Sequence, residues 1–281
     1  MVTEADLELS DGRTLHCYDT REAGDDGLTA VFWLHGTPNT GTPPEPLFAA
    51  AAHSGLRWVS YDRPGYGGSS PHDDRDIASA AADVAAVADA LGIGRFAVLG
   101  HSGGGPHALA CAALLPSRVL AVVSVSAPAP TGAGGLDWFA GWSASGAAEQ
   151  RAARSGRAAL EEYLPTAEFD PQTFTPGDYA ALEGGWSWFG DVVSKALEHG
   201  REGMVEDLLA SARDWGFALA EITVPVLVAH GAADRMVPAA HGQWLAAHCP
   251  RAELRLIADA GHITVLDAAP AALDWVRARF A

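Results

Sequence analysis

Short apolar runs recur along the chain, separated by longer stretches in which apolar positions follow a helical period. Eight of these runs are rich in Val, Leu and aromatic residues, a composition typical of β-strands. The first two alternate apolar with polar positions and flank Asp11-Gly12, which predicts a hairpin. The later runs are almost continuously apolar, as expected for parallel strands buried on both faces. The predicted strands cover residues 4–9, 13–18, 30–34, 57–61, 95–99, 119–126, 224–230 and 253–257.

Helical periodicity fills the intervals between several of these strands. Residues 76–91 are rich in alanine and are followed by Gly92, a residue type that commonly terminates helices. Further helices are predicted over residues 106–115, 238–248 and 269–280. Strands that alternate with helices favour βαβ units. The predicted fold class is therefore α/β, with a mostly parallel sheet flanked by helices.

The alternation stops after the sixth strand, and no further strand is predicted before the seventh. Helical patches are predicted instead near residues 136–149, 157–164, 176–186 and 202–215. An all-helical insertion in an α/β protein predicts a cap over a pocket. The predicted domains are a core formed by residues 1–127 and 222–281, and a helical cap formed by residues 128–221.

This predicted cap holds more than half of the aromatic residues of the chain. Most of them are expected to pack against one another, and the remainder to face a ligand. Trp138, Trp142 and Trp186 are the cap residues for which we predict substrate contact. Aromatic side chains at such positions favour a small, largely apolar ligand.

Composition and charge narrow the possible partners. Of the 281 residues, 48% are hydrophobic and 19% charged, which excludes intrinsic disorder. The net charge of −17 opposes binding to nucleic acid or to an anionic membrane, so neither partner is expected. Three widely spaced cysteines encode neither a disulfide framework nor a zinc cluster. The chain has no long apolar run and no signal-peptide pattern at its start, so we expect a cytoplasmic location.

The strongest chemical motif is Gly100-His101-Ser102-Gly103-Gly104, between the fifth predicted strand and the helix that follows it. It has the pattern G-x-S-x-G, in which small residues flank a nucleophilic serine on a tight strand-to-helix turn. The start of the helix places free N–H groups beside the serine and favours an anion there. A glycine-rich phosphate loop is the alternative, but the spacing fits neither of the common phosphate-binding patterns.

A second motif, His35-Gly36-Thr37-Pro38, ends the third predicted strand. Acyl transfer needs two N–H donors directed at the developing oxyanion, one after the nucleophile and one from this loop. We predict the backbone N–H groups of Gly103 and Thr37 as those donors, since Pro38 has none. Gly36 and His101 flank the predicted site and are expected to contact the substrate.

A nucleophilic serine requires a base, and the base requires an acid that orients it. His262 follows the last predicted strand and Asp234 follows the preceding one, so both lie at the edge of the sheet where α/β sites gather. We predict a triad of Ser102, Asp234 and His262. Asp137 and Asp259 are rival acids, but the first lies far beyond its strand and the second is too close to His262.

The chain resembles the α/β-hydrolase superfamily over nearly its whole length. The resemblance rests on His35-Gly36, the serine motif, Gly261-His262, and two further blocks at residues 61–69 and 231–238. It implies an eight-stranded, mostly parallel sheet whose second strand is antiparallel, with a helical cap inserted after strand six.

The resemblance also implies hydrolysis. Relatives that open epoxides or displace halide carry aspartate where this chain has Ser102. Relatives that remove N-terminal proline carry a His-Gly-Gly-Pro-Gly loop, and the loop here is different. We predict cleavage of a carboxylic ester, or a related acyl bond, of a small, largely apolar substrate through an acyl-enzyme. We predict no cofactor and no metal, and a monomer or homodimer.

Two alternatives stay open at this stage. A C–C bond hydrolase, a thioesterase or a cofactor-free perhydrolase would use the same triad. A non-catalytic receptor would use the pocket only to bind a small molecule.

Overall fold

A computed structural model describes residues 1–22 and 27–280 and contains an eight-stranded sheet. The strand order is β1-β2-β4-β3-β5-β6-β7-β8. The two pairings of β2, with β1 and with β4, are antiparallel, and all other pairings in this sheet are parallel. Each predicted strand is present, with ends displaced by at most two residues, so the predicted fold class is confirmed. The strands are β1 (Thr3–Glu8), β2 (Thr14–Asp19), β3 (Thr29–Leu34), β4 (Leu56–Tyr61), β5 (Phe96–His101), β6 (Val119–Val125), β7 (Val226–Gly231) and β8 (Ala252–Ile257).

Helices connect the parallel strands and cover the sheet. Those flanking it are α1 (Phe48–His53), α2 (Ser79–Ala90), α3 (Gly104–Leu114), α9 (Ala239–His248) and α10 (Ala269–Arg277). The sequence predicted all of these except α1, a short helix with no clear periodicity. In the part of the chain that the structure describes, no helix has the length and apolar character needed to span a bilayer.

The chain between β6 and β7 is helical, and its helices are α4 (Ala144–Arg154), α5 (Arg157–Tyr163), α6 (Pro176–Glu183), α7 (Trp188–Leu197) and α8 (Glu202–Ala212). We call residues 144–212 the helical segment. Two predictions here need correction. The helix predicted from residue 136 begins at Ala144, because the Ser143 hydroxyl accepts the N–H of Gly146 and caps it. The sequence analysis missed α7, which begins after Gly184-Gly185 interrupts the helical pattern.

Two apolar layers lie on opposite faces of the sheet. Phe32 and Val98 point into one layer, whereas their neighbours Val31 and Ala97 point into the other. This alternation explains why the central strands are apolar at nearly every position. The polar residues lie instead at the carboxyl ends of β3, β5, β7 and β8, where the loops that follow these strands meet.

Candidate active site

Ser102 occupies a tight turn between β5 and α3. Its φ angle is 54°, an unusual value for a residue other than glycine and one that is often found at functional sites. The turn needs glycine on either side. A Cβ atom at Gly100 would lie 2.2 Å from the carbonyl oxygen of Gly104, and one at Gly104 would lie 1.9 Å from that of Leu34. The close packing holds the serine at the start of α3, where it lines two cavities.

His262 and Asp234 form a buried hydrogen-bonded pair. His262 Nδ1 lies 2.8 Å from Asp234 Oδ2 and donates to it, which leaves Nε2 as the acceptor. The other carboxylate oxygen, Asp234 Oδ1, accepts the backbone N–H groups of Met236 and Val237, both at 2.9 Å. Burial raises the pKa of Asp234, but His262, together with His230 and the Val237 N–H, lowers it more, so the net shift is downward. The acid is therefore ionised and fixed in orientation.

The structure brings Ser102 and His262 to the lining of one cavity. The two rival acids lie elsewhere. Asp137 and Asp259 are both exposed, and neither makes a hydrogen bond to His262 within the described ranges.

His101 supports the histidine from behind. Its Nε2–H donates to the carbonyl oxygen of His262 at 3.0 Å, and its ring also lines a cavity beside Ser102. Burial lowers the pKa of His101 to about 3, with a further contribution from His262. His101 is therefore neutral and fixes the backbone of His262. Substrate contact, the role predicted for it, would be a second role.

Thr37 and Gly103 lie side by side. A Cβ atom placed on Gly103 would be 3.5 Å from the backbone nitrogen of Thr37 and 2.5 Å from its hydroxyl. Neither amide N–H donates a hydrogen bond to any residue in ranges 1–22 and 27–280. Both residues line the cavity that contains Ser102. Two adjacent, unpaired N–H groups next to a serine are suited to stabilise an oxyanion.

The loop that carries Thr37 is held by a carboxylate from helix α8. The Thr37 hydroxyl donates to Asp207 Oδ2 at 2.6 Å. Arg63 Nε donates to Asp207 Oδ1 at 3.1 Å and its Nη2 to the Gly36 carbonyl at 2.9 Å. Arg75 pairs with the same carboxylate. Burial raises the pKa of Asp207, yet the two guanidinium groups hold it well below the usual range.

A second carboxylate of the helical segment holds the loop that carries His262. Asp178, on α6, accepts the backbone N–H groups of His262, Ile263 and Thr264 at 3.2, 3.0 and 2.9 Å. The sequence analysis missed both acids. Thr175 and Asp178 have the spacing of a capping box, which predicts a helix start but not this contact. Asp207 gave no signal, because its partners lie far away in the sequence.

Two cavities meet at Ser102. The apolar cavity has a volume of about 450 Å³ and is lined by Phe169, Phe174, Leu182, Phe189, Val193 and Ile263, among others. The acidic cavity has a volume of about 270 Å³, and its lining includes Glu149, Glu168, Asp170 and Asp207. No arginine or lysine from the described ranges lines either cavity.

The predicted substrate contacts divide into two groups. Gly36 and His101 line the apolar cavity, and Trp142 lines the acidic one. Trp138 and Trp186 line neither cavity. The indole of Trp138 donates to the Ala129 carbonyl at 2.9 Å, and that of Trp186 donates to Asp267 Oδ1 at 2.8 Å. Both tryptophans are buried and pack within the protein.

Comparisons with known proteins show the family to which this fold belongs. A family model described as the alpha/beta hydrolase fold matches residues 29–269. A 2-hydroxy-6-oxononadienedioate/2-hydroxy-6-oxononatrienedioate hydrolase of Cupriavidus pinatubonensis is 30% identical, over 93% of this chain and 91% of its own. A non-heme chloroperoxidase of Streptomyces lividans is 34% identical over 76% of each chain. The solved structure of an enol-lactonase from Burkholderia xenovorans superposes with a TM-score of 0.73 at 24% identity, covering 98% of this chain and 99% of that one.

Proposed function

Because this chain belongs to the α/β-hydrolase family, we propose that it hydrolyses a carboxylic ester through an acyl-enzyme on Ser102. The substrate is small, largely apolar and free of anionic groups. The observation that carries the proposal is the 2.8 Å hydrogen bond between His262 and Asp234, beside a cavity that Ser102 also lines. The helical segment acts as the cap that closes this site.

The reaction follows from the roles of five residues. His262 Nε2 accepts the hydroxyl proton as Ser102 Oγ attacks the ester carbonyl, and Asp234 stabilises the imidazolium that forms. The N–H groups of Thr37 and Gly103 stabilise the oxyanion of the tetrahedral intermediate. His262 then gives its proton to the departing alcohol. A water molecule, activated by the same histidine, releases the acid and restores Ser102.

The charge of the cavities supports a substrate class without anionic groups. The relative from Cupriavidus pinatubonensis is named for a dioate, a substrate with two carboxylates. Glu149, Glu168 and Asp170 line the acidic cavity here, the charge of Asp207 is balanced by Arg63 and Arg75, and no described lysine or arginine lines either cavity. A carboxylate on the substrate would be repelled by these acids at such short range. These contacts support an ester without a carboxylate.

A C–C bond hydrolase is the second candidate function. It is favoured by relatives that are named as hydrolases of 2-hydroxy-6-oxononadienedioate and match 93% of this chain. The same triad and the same oxyanion donors would serve it. The acidic lining argues against the dioate substrates of those relatives, so a C–C hydrolase here would act on a substrate without carboxylates.

The proposal is tested by the turnover of 4-nitrophenyl esters of graded chain length, measured as the release of nitrophenolate. We expect saturable hydrolysis of the short and medium esters, no activity in the Ser102→Ala variant, and labelling of Ser102 by a fluorophosphonate. Parallel assays use a 2-hydroxy-6-oxo-dienedioate and its dimethyl ester, and measure their turnover as the loss of conjugated absorbance. Faster turnover of the dioate than of every carboxylic ester would refute the proposed substrate class.

A further inference from the structure

Glu149 carries an ionisable group that the proposed reaction does not use. It lies on α4 and lines the acidic cavity together with Ser102, Gly103 and Thr37. Its side chain is only partly exposed. Within residues 1–22 and 27–280, its carboxylate makes no hydrogen bond and no ion pair. An unpaired carboxylate therefore faces the space next to the nucleophile.

No cation from the described residues pairs with this carboxylate. Arg151 and Arg154, on the same helix, turn away, and their guanidinium groups lie 4.5 Å from the ring centre of Phe139 and 4.6 Å from that of Trp138. The nearby hydroxyl of Tyr163 donates to the carbonyl oxygen of Ser145 at 3.2 Å instead. These three residues thus have other partners.

An unpaired, partly buried carboxylate is costly to a folded protein. Carboxyl groups in such surroundings normally have a hydrogen-bond donor or a cation, because desolvation without a partner costs free energy. Burial raises the pKa of Glu149 to about 7, which reflects that cost. A perturbed group in the cleft that contains the catalytic residues is a typical sign of ligand binding.

The surrounding charge indicates what kind of partner would satisfy Glu149. Besides Asp207, which is paired with arginines, two other acids, Glu168 and Asp170, line the same cavity. The chain as a whole has a net charge of −17, which raises the local concentration of cations and lowers that of anions. A protonated amine supplies both the positive charge and the N–H donor that this carboxylate lacks.

We propose that Glu149 is a specificity-determining residue that binds a protonated amine on the substrate, so that the enzyme prefers amino esters to their neutral isosteres. The inference rests on the proposed function, because Ser102 is taken to cleave the ester bond of the same molecule. The amine would lie in the acidic cavity, and the apolar part of the substrate in the apolar cavity on the other side of Ser102.

Two pairs of isosteric esters test this proposal at pH 7.5, with hydrolysis followed by pH-stat titration. The first pair, 2-(dimethylamino)ethyl butyrate and 3-methylbutyl butyrate, places the amine in the alcohol. The second pair, methyl 4-(dimethylamino)butyrate and methyl 5-methylhexanoate, places it in the acid. A charge-assisted hydrogen bond predicts that kcat/KM for the amine is higher by about tenfold or more in at least one pair.

The Glu149→Gln variant keeps the size of the side chain and removes its charge. We expect the preference for the amine, taken as the ratio of kcat/KM for the amine to kcat/KM for its neutral isostere in the same variant, to fall to about twofold or less. The matched control is Glu162→Gln, an exposed residue of α5 that lines neither cavity, and it should keep the wild-type preference. A wild-type enzyme without a preference, or a Glu149→Gln enzyme that retains it, would overturn the proposal.

A binding measurement separates this inference from the proposed function. Calorimetric titration of the Ser102→Ala variant with the four intact esters reports affinity without turnover. If the wild-type enzyme cleaves none of the esters but the variant binds the amines more tightly, the ester hydrolysis is wrong and the amine site stands. If the neutral esters are cleaved and the amines bind no better than their isosteres, the amine site is wrong and the hydrolase stands.

Discussion

Removal of the negative charge of Asp207 is expected to weaken the fold and the active site together. The side chains of Asp207, Arg63 and Arg75 are each at most 2% exposed, so Asp207→Asn leaves two buried guanidinium groups without their counter-charge. Removal of one partner from a buried ion pair typically costs about 3–5 kcal/mol in the free energy of unfolding. For a chain of this size the melting temperature should fall by roughly 6–20 °C.

The same substitution should slow catalysis. The Thr37 hydroxyl donates to Asp207 at 2.6 Å, and this bond helps to fix the loop whose N–H group is the proposed oxyanion donor. Complete loss of one such donor costs about 10²–10³ in kcat, so displacement of the loop should cost about 10–100-fold. The Thr37→Val variant separates the two effects, because it removes the hydroxyl and leaves the pairing of Asp207 with Arg63 and Arg75 intact. It should lower kcat with a much smaller change in melting temperature.

Thermal unfolding by circular dichroism and steady-state kinetics on a 4-nitrophenyl ester measure both quantities. Asp191→Asn is the matched control, since Asp191 lies on α7 and is exposed, and it should shift the melting temperature by no more than about 2 °C. If Asp207→Asn melted within that same margin, the carboxylate would not be balancing two buried charges. If Thr37→Val kept the wild-type kcat, the hydroxyl would not be positioning the loop.

Three further predictions concern the triad and the acid response. Ser102→Ala should lower kcat by about 10³ or more and abolish labelling by a fluorophosphonate, and label found on another serine would contradict the assignment. Asp234→Asn should keep the melting temperature within a few degrees and lower kcat by about 10⁴, because the histidine would adopt the wrong tautomer. Asp137→Asn should be as active as the wild type. The reverse result would assign the acid of the triad to the loop after β6. Because the pKa of Asp207 is lowered in the folded state, its contribution to stability is complete above the unfolded value of about 3.9 and declines as the pH falls below it. Urea unfolding should therefore show a difference in the free energy of unfolding between wild type and Asp207→Asn that is constant from pH 5 to 8 and becomes smaller below about pH 4. A difference that became larger in acid would contradict the ionised pair.

The location of Ser102, Asp234 and His262 at one edge of the sheet could be predicted from the sequence, because each follows a strand with a strong local pattern. Val and Leu mark β5, β7 and β8, and parallel strands bring the residues after their carboxyl ends to one edge of the sheet. The glycines around Ser102 are required by contacts of the turn itself, such as the close approach of Gly100 to Gly104. Local chemistry therefore determined where these residues would lie.

The contacts of the helical segment could not be derived in the same way. The orientation of Trp138 and Trp186 depends on which partners the folded chain offers their indole N–H groups, here Ala129 and Asp267. Periodicity also cannot distinguish an aromatic residue that faces a pocket from one that faces the interior. Asp207 meets Arg63 across 144 positions of sequence, and no local pattern encodes such a contact.

Asp178 and Asp207 constrain how this protein can be remodelled. Exchange of residues 144–212 for the corresponding part of another protein would remove the acceptors for the N–H groups of residues 262–264 and the counter-charge of Arg63. A chimera that keeps these contacts must therefore carry a carboxylate at both positions. The same bonds oppose a hinge motion of the whole segment, so a change in the width of the cavity mouth would come from a smaller part. Phe169, which is 69% exposed and lines both cavities, is placed to provide it.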